Sequence, residues 1–106
     1  MRKYLPVLFF VAAACTGHRY AQTTNVTAPS KPAACSFDVL STRPDRPYDE
    51  IGVLDARHAS NASTDAGSFR DSIREDVCRA GGDAVLAEVN GQGHYVRGIV
   101  LRYRQQ

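Results

Sequence analysis

The stretch SFRDSIREDVCRAGG, residues 68–82, decides the fold because it carries the clearest helical pattern in the 106-residue chain. Its apolar positions recur at intervals of four, four and three: Phe69, Ile73, Val77 and Ala80. This spacing predicts a helix with one apolar face that packs against other structure. Ser68 is the predicted N-cap, and Gly81-Gly82 ends the helix because glycine accepts the left-handed conformation of a helix C-terminus.

Strand patterns lie on both sides of this helix. Short alternating or continuous apolar stretches predict four strands: Ser36–Leu40, Ile51–Ala56, Asp83–Val89 and Tyr95–Tyr103. Asn90-Gly91, between the last two strands, is typical of a hairpin turn. Residues 57–67 form a predicted polar loop. The order ββαββ predicts an α+β fold, a small two-layer domain with a four-stranded sheet and the helix on one face.

Both faces of this predicted sheet carry apolar side chains, although a single predicted helix covers one of them. Strand alternation separates Val96 and Val100 from Tyr95, Ile99 and Leu101, and Leu54 from Ile51 and Val53; we take Leu54, Val96 and Val100 as the face away from the helix. An uncovered apolar patch of this kind marks an interaction site, so these three residues form the candidate interaction face. Alternatively, the face is covered by the segment before Cys35, by the loop at 57–67 or by another subunit.

Residues 1–14 predict a signal peptide. Arg2 and Lys3 give a positive start, and residues 5–14 form an unbroken apolar run of ten. As a helix, this run would reach roughly 15 Å, about half of the ~30 Å hydrocarbon core of a bilayer. It is therefore too short for a transmembrane span and is typical of a secretory leader.

Cys15 follows Ala12-Ala13-Ala14, and this junction resembles the lipobox of bacterial lipoproteins, which ends in two small residues and a cysteine. The resemblance implies that Cys15 carries a lipid, becomes the first residue of the mature chain and anchors it in a membrane. Because Thr16 rather than Asp follows, it also implies the outer membrane, with the domain in the periplasm or at the cell surface. The alternative is that Ala12-x-Ala14 is an ordinary signal-peptidase site.

Residues 15–34 predict a lipidated cysteine followed by a flexible, disordered tether. Residues 16–34, TGHRYAQTTNVTAPSKPAA, are rich in Thr, Ala, Ser and Pro and lack apolar periodicity. Such a composition buries too little surface to offset the conformational entropy of ordering the chain. Residues 35–106 then form the folded domain.

If Cys15 is lipidated, Cys35 and Cys78 remain as a predicted disulfide. On a helical wheel, Cys78 lies opposite Phe69, on the polar side of the helix. A free thiol there would be reactive in an oxidising compartment, which favours the bonded form. The alternative is a partly buried free cysteine.

Charge and motifs exclude several functions. Without the leader, eleven Lys and Arg balance eleven Asp and Glu, so the positive footprint of a nucleic-acid-binding protein is absent from the sequence. No nucleophile elbow or phosphate-binding loop occurs, and His18, His58 and His94 are too scattered in sequence for a recognisable metal motif. The sequence therefore predicts a protein that is not an enzyme, without catalytic residues, metal or cofactor.

Residues 48–103 resemble the small domains of the RcsF and YbjQ type. The resemblance rests on the segment at 47–53, PYDEIGV, on the helix that ends in Gly-Gly, and on the strands DAVL at 83–86 and YVRGIVL at 95–101. It implies a lipoprotein that senses envelope stress through a protein partner. This chain departs from RcsF, which has four domain cysteines, and it lacks a metal-ligand cluster to match the heavy-metal label of the YbjQ family.

These observations predict a non-catalytic, lipid-anchored envelope protein that acts as a protein-interaction or stress-sensing module. Its predicted partners are the membrane, through the N-terminal lipid, and an envelope protein. The alternative function is a periplasmic domain that binds a small ligand or a metal ion in a pocket near Asp55, His58 and His94.

Overall fold

The computed structural model describes residues 18–56 and 62–105. Residues 1–14, predicted as a signal peptide, together with Cys15 and His58 lie outside these residues. The described chain forms six elements in sequence order: β1 His18–Gln22, β2 Asp38–Leu40, β3 Tyr48–Ala56, α1 Ala66–Ala80, β4 Ala84–Val89 and β5 Tyr95–Tyr103. The prediction of a small α+β domain is therefore confirmed. No helix among the described residues is long and apolar enough to cross a membrane.

The strands form one mixed sheet in the order β1-β3-β5-β4-β2. β2 runs parallel to β4, and the other neighbours are antiparallel. The prediction of four strands is wrong by one, because β1 lies inside the segment expected to be a disordered tether. Tyr20 of β1 lies over Gly52, where any Cβ would overlap its ring, and its hydroxyl donates a hydrogen bond to the Ile51 carbonyl at 3.3 Å. Pairing with β3 therefore orders a segment whose own composition gives no strand signal.

The helix starts earlier than predicted. Asp65, not Ser68, is the N-cap, and its carboxylate accepts a hydrogen bond from the Ser68 amide at 3.4 Å. An aspartate at this position satisfies one of the free amides of the first turn, as a serine would. The predicted end is confirmed: Gly81 adopts φ 81°, and the Gly82 amide donates to the Val77 carbonyl at 2.9 Å.

The core lies between α1 and one face of the sheet. Phe69, Ile73 and Val77 are fully buried against it. A Cβ at Gly98 would lie 2.6 Å from a methyl of Val85 and 3.3 Å from the Phe69 ring. Glycine at this position therefore lets the helix approach the sheet closely.

Residues 23–35 form a strap that fastens β1 to the C-terminal end of α1. Lys31 donates its amide to the Cys78 carbonyl at 2.7 Å and its ammonium to the Gly82 carbonyl at 3.0 Å. The Ser30 hydroxyl donates to the Arg79 carbonyl. The bonds to the Arg79 and Cys78 carbonyls satisfy acceptors in the last turn of α1, and the bond to Gly82 holds the residue after its C-cap. The segment predicted as a flexible tether is therefore bound to the domain through specific contacts.

The predicted disulfide between Cys35 and Cys78 is present, with the two Cα atoms 5.8 Å apart. Cys78 is fully buried, unlike the polar-side position that the helical wheel predicts. The wheel describes an isolated helix, whereas the strap and the buried Phe37 cover this side of α1 in the folded chain.

Replacing both Cys35 and Cys78 with alanine should lower the free energy of unfolding by about 4 kcal/mol, the loop-entropy value for a bond that closes roughly 44 residues. Urea unfolding monitored by circular dichroism measures this loss. The wild-type protein under reducing conditions is the matched control and should approach the stability of the double variant. Equal stability of the oxidised wild type and the double variant would contradict a structural role for the bond.

Candidate interaction face

The structure places two of the three predicted interaction residues in the core. Leu54 and Val100 are fully buried under α1, so the prediction that they form an exposed face is wrong. Val96 is half-buried and is the extra residue of a β-bulge in β5. Period-two alternation separates two faces of a strand but does not say which of them meets the helix. Gly98, on the same side as Leu54, is the signal that could have identified it, since a small residue there permits close helix packing.

Two bulges interrupt the simple alternation of β3 and β5. In β3, Ile51 is inserted between the pairs Glu50↔Leu101 and Gly52↔Val100. Ile51 consequently faces α1, with 1% of its surface exposed. The bulge at Val96 likewise turns Tyr95 toward α1, where its ring stacks on Phe69 with the centroids 5.0 Å apart.

The face away from α1 carries a row of half-buried apolar side chains. Val53, Ile99 and Leu86 are direct cross-strand neighbours on β3, β5 and β4. The same register continues to Ala21 on β1 and Leu40 on β2, so the row crosses all five strands. Its three central side chains are each partly open to solvent, although nothing in the sequence pattern distinguishes them from core residues.

Residues 41–47 cover the neighbouring part of this face. They connect β2 to β3, which are parallel and separated by β4 and β5, so the connection crosses the sheet diagonally. The Arg46 guanidinium lies 4.0 Å from the centre of the Tyr103 ring, and the Pro47 carbonyl accepts a hydrogen bond from the Arg104 amide at 3.0 Å. Leu101, which shares this face with Tyr103, is fully buried. The next side chain on this face of β5 is Ile99, which belongs to the apolar row and is partly exposed.

A row of charged residues of alternating sign borders the apolar row on its other side. Register places one charged residue on each of four successive strands: Arg19 on β1, Asp55 on β3, Arg97 on β5 and Glu88 on β4. The Arg97 guanidinium lies 3.8 Å from the Asp55 carboxylate and 3.5 Å from the Glu88 carboxylate. We call this set the charged ladder, and the ladder together with Val53, Ile99 and Leu86 the open face.

Two of the three residues of the alternative metal site, Asp55 and His94, lie in the described part of the chain. Asp55 belongs to the charged ladder, His94 follows the β4–β5 hairpin turn, and His58 lies outside the described residues. Among residues 18–56 and 62–105, no group of three or more His, Cys, Asp or Glu side chains could hold a metal ion.

An open cavity of about 250 Å³ lies on the helix side, between β1, the strap and α1. Its apolar lining comes mainly from Tyr20, Val26, Ile51 and Ala80. This volume is smaller than the roughly 300–1,000 Å³ of most small-molecule sites. The cavity therefore gives the alternative ligand-binding function less support than the open face gives to an interaction.

Asp83 links the strap to the last strand. Its carboxylate accepts a hydrogen bond from the Lys31 ammonium at 2.6 Å and another from the Tyr103 amide at 2.8 Å. Partial burial would by itself raise the pKa of this carboxyl, but the hydrogen bonds and the positive charge of Lys31 lower it overall. Asp83 is therefore ionised at neutral pH and acts as a structural group.

His18 lies in an apolar setting at the other end of β1. Its ring meets Phe69 edge-on, with the centroids 5.2 Å apart. Both ring nitrogens are shielded from solvent, and neither forms a well-aligned hydrogen bond with the described part of the chain. Burial lowers the pKa of His18 from 6.5, and the Tyr95 backbone and the carboxylates of Asp76 and Asp55 offset this effect only in part.

Comparison of the chain with models of protein families, with curated proteins and with solved structures finds no match.

His18→Phe should flatten part of the pH dependence of stability. Because the pKa of His18 is lower in the folded chain, the unfolded chain binds more protons between that pKa and 6.5. The free energy of unfolding therefore rises with pH through this window and levels off above it. Urea unfolding of both proteins at a series of pH values from about 4.5 to 7.5 measures the difference in slope. Parallel slopes in wild type and variant would show that His18 does not contribute.

Proposed function

We propose that this protein is a non-catalytic, lipid-anchored protein of the bacterial cell envelope that acts as a protein-interaction or stress-sensing module. The observation that carries this proposal is the open face, where a partly exposed apolar row lies beside a charged ladder on the side of the sheet away from α1. Apolar side chains rimmed by charged ones are typical of protein-binding surfaces.

The anchor would hold this domain close to the membrane. Cys15 precedes the first residue of β1, His18, by three positions. Even fully extended, three residues span at most about 10 Å. Since β1 and the strap are part of the fold, a lipid on Cys15 would keep the edge of the sheet near the bilayer surface. A partner of the module would then lie in or near the same membrane.

Cys15→Ala should move the protein from the membrane fraction to the soluble fraction, because it removes the atom that carries the lipid. Immunoblotting of fractionated cells measures this distribution. The matched control is the double replacement of Cys35 and Cys78 by alanine, which removes thiols without touching the anchor and should remain in the membrane fraction. Membrane association that persists in Cys15→Ala would contradict the lipid anchor.

A photo-crosslinking amino acid at Val53, Leu86 or Ile99 should give a defined adduct in intact cells, because these side chains form the open part of the apolar row. Immunoblotting and mass spectrometry of the adducts measure this outcome. Glu75, whose side chain is 81% exposed on α1, is the control position and should give no adduct of the same mass. Equal labelling from Glu75 and from the open face would contradict a specific interaction there.

A further inference from the structure

We propose that the open face binds a second copy of this chain, so that the two sheets pack face to face. The copies are related by a two-fold axis that lies between the two sheets, parallel to the strands and midway between β3 and β5. The inference rests on the proposed interaction function and assigns its partner. It follows from the order of charges and side-chain sizes across the sheet.

The charged ladder is complementary to itself under this two-fold axis. Across β1, β3, β5 and β4 its signs are positive, negative, positive, negative. Rotation about an axis between the two central strands reverses this order, so every position of the ladder meets the opposite sign. Arg97 then faces Asp55 of the second copy, and Arg19 faces its Glu88. An isologous dimer requires such a self-complementary surface.

The apolar row fits the same rotation. Val53 meets Ile99 of the second copy, and the small Ala21 on β1 meets the larger Leu86 on β4. A small residue opposite a large one lets two sheet faces interdigitate at a separation of about 10 Å. At this separation the long side chains of Arg19 and Arg97 can reach carboxylates on the facing sheet. Apolar contact and charge pairing therefore favour one arrangement.

The ladder residues are available for such a contact. The side chains of Asp55, Glu88 and Arg97 are 63%, 51% and 48% exposed, respectively. The ion pairs they make within the chain are long and solvated, and such surface pairs contribute about 0–1 kcal/mol each. Reversing one of these charges should therefore change association more than folding.

The size of the open face sets the expected strength. A standard stable interface uses about 20–30 residues on each partner, whereas the open face has seven side chains. We expect a dimer with a Kd in the micromolar range or weaker, which attachment of both copies to one membrane would favour through their raised local concentration.

Charge exchange between two variants tests this geometry. In the symmetric dimer, residue 19 of each copy faces residue 88 of the other. Arg19→Glu therefore brings two negative side chains together at both contacts, and Glu88→Arg brings two positive side chains together there. Each variant should therefore dimerise at least about tenfold more weakly than the wild type. An equimolar mixture should regain dimerisation, because in the mixed dimer the glutamate introduced into one copy faces the arginine introduced into the other. The second contact of the mixed dimer is the native pair of Arg19 with Glu88.

Sedimentation equilibrium of the full chain in density-matched detergent measures each dissociation constant. Glu75→Arg, on the outer face of α1, is the charge-reversal control and should dimerise like the wild type. Circular dichroism melts confirm that all variants fold. Restored dimerisation in the mixture, but in neither variant alone, supports the two-fold arrangement.

A wild-type protein that stays monomeric up to about 1 mM, or a mixture no stronger than its single variants, would overturn the second-copy inference. Crosslinking distinguishes this failure from failure of the proposed function. An adduct from Val53 or Ile99 with a different envelope protein would retain the interaction module and reject the second copy as its partner. An adduct of twice the chain mass supports both.

Discussion

The packing of Phe69, Ile73 and Val77 against β3, β4 and β5 is the interaction on which the rest of this structure depends. This packing buries one face of the sheet in the core. The opposite face is left to be covered by connecting segments. Close approach is possible because Gly98 lies beneath the helix, where a side chain would collide with Val85 and Phe69. In the described part of the chain, α1 is the one helix available to cover a five-stranded sheet, so the second face depends on what the connections supply.

Two connections stabilise this small domain beyond its core. The strap binds the C-terminal carbonyls of α1 through Ser30 and Lys31, and the disulfide joins Cys35 to the same turn. Residues 41–47 cross the second face, where the Arg46 guanidinium lies over the Tyr103 ring. Domains of this length have a thin core and often need covalent or extended coverings of this kind. The strap also fastens β1, so the sheet begins only three residues after Cys15.

The open face is what these coverings leave exposed. The sheet register aligns Val53, Ile99 and Leu86 in one row, and aligned charges of alternating sign lie beside them. Such an arrangement has a specific order of side-chain sizes and charges. Both the proposed interaction function and the proposed second-copy partner rest on this face.

The sequence by itself determined the α+β class, the end of α1, the β4–β5 hairpin and the pairing of Cys35 with Cys78. These features depend on local signals, such as helical spacing, glycine at a helix C-terminus and the count of cysteines, that do not require knowledge of distant partners. The start of α1 was predicted three residues late, at Ser68 instead of Asp65, because both residue types cap helices.

Only the tertiary structure decided the fifth strand, the side of the sheet that α1 covers and the residues of the open face. β1 is ordered by pairing with β3, which lies 30 to 38 residues later in the chain. The composition of β1 does not indicate this partner. Ile51 and Tyr95 face the helix because two bulges interrupt the alternation of β3 and β5. The charged ladder exists because register brings Arg19, Asp55, Arg97 and Glu88 side by side from four separate strands. Such pairings are non-local, so a pattern within one segment cannot specify them.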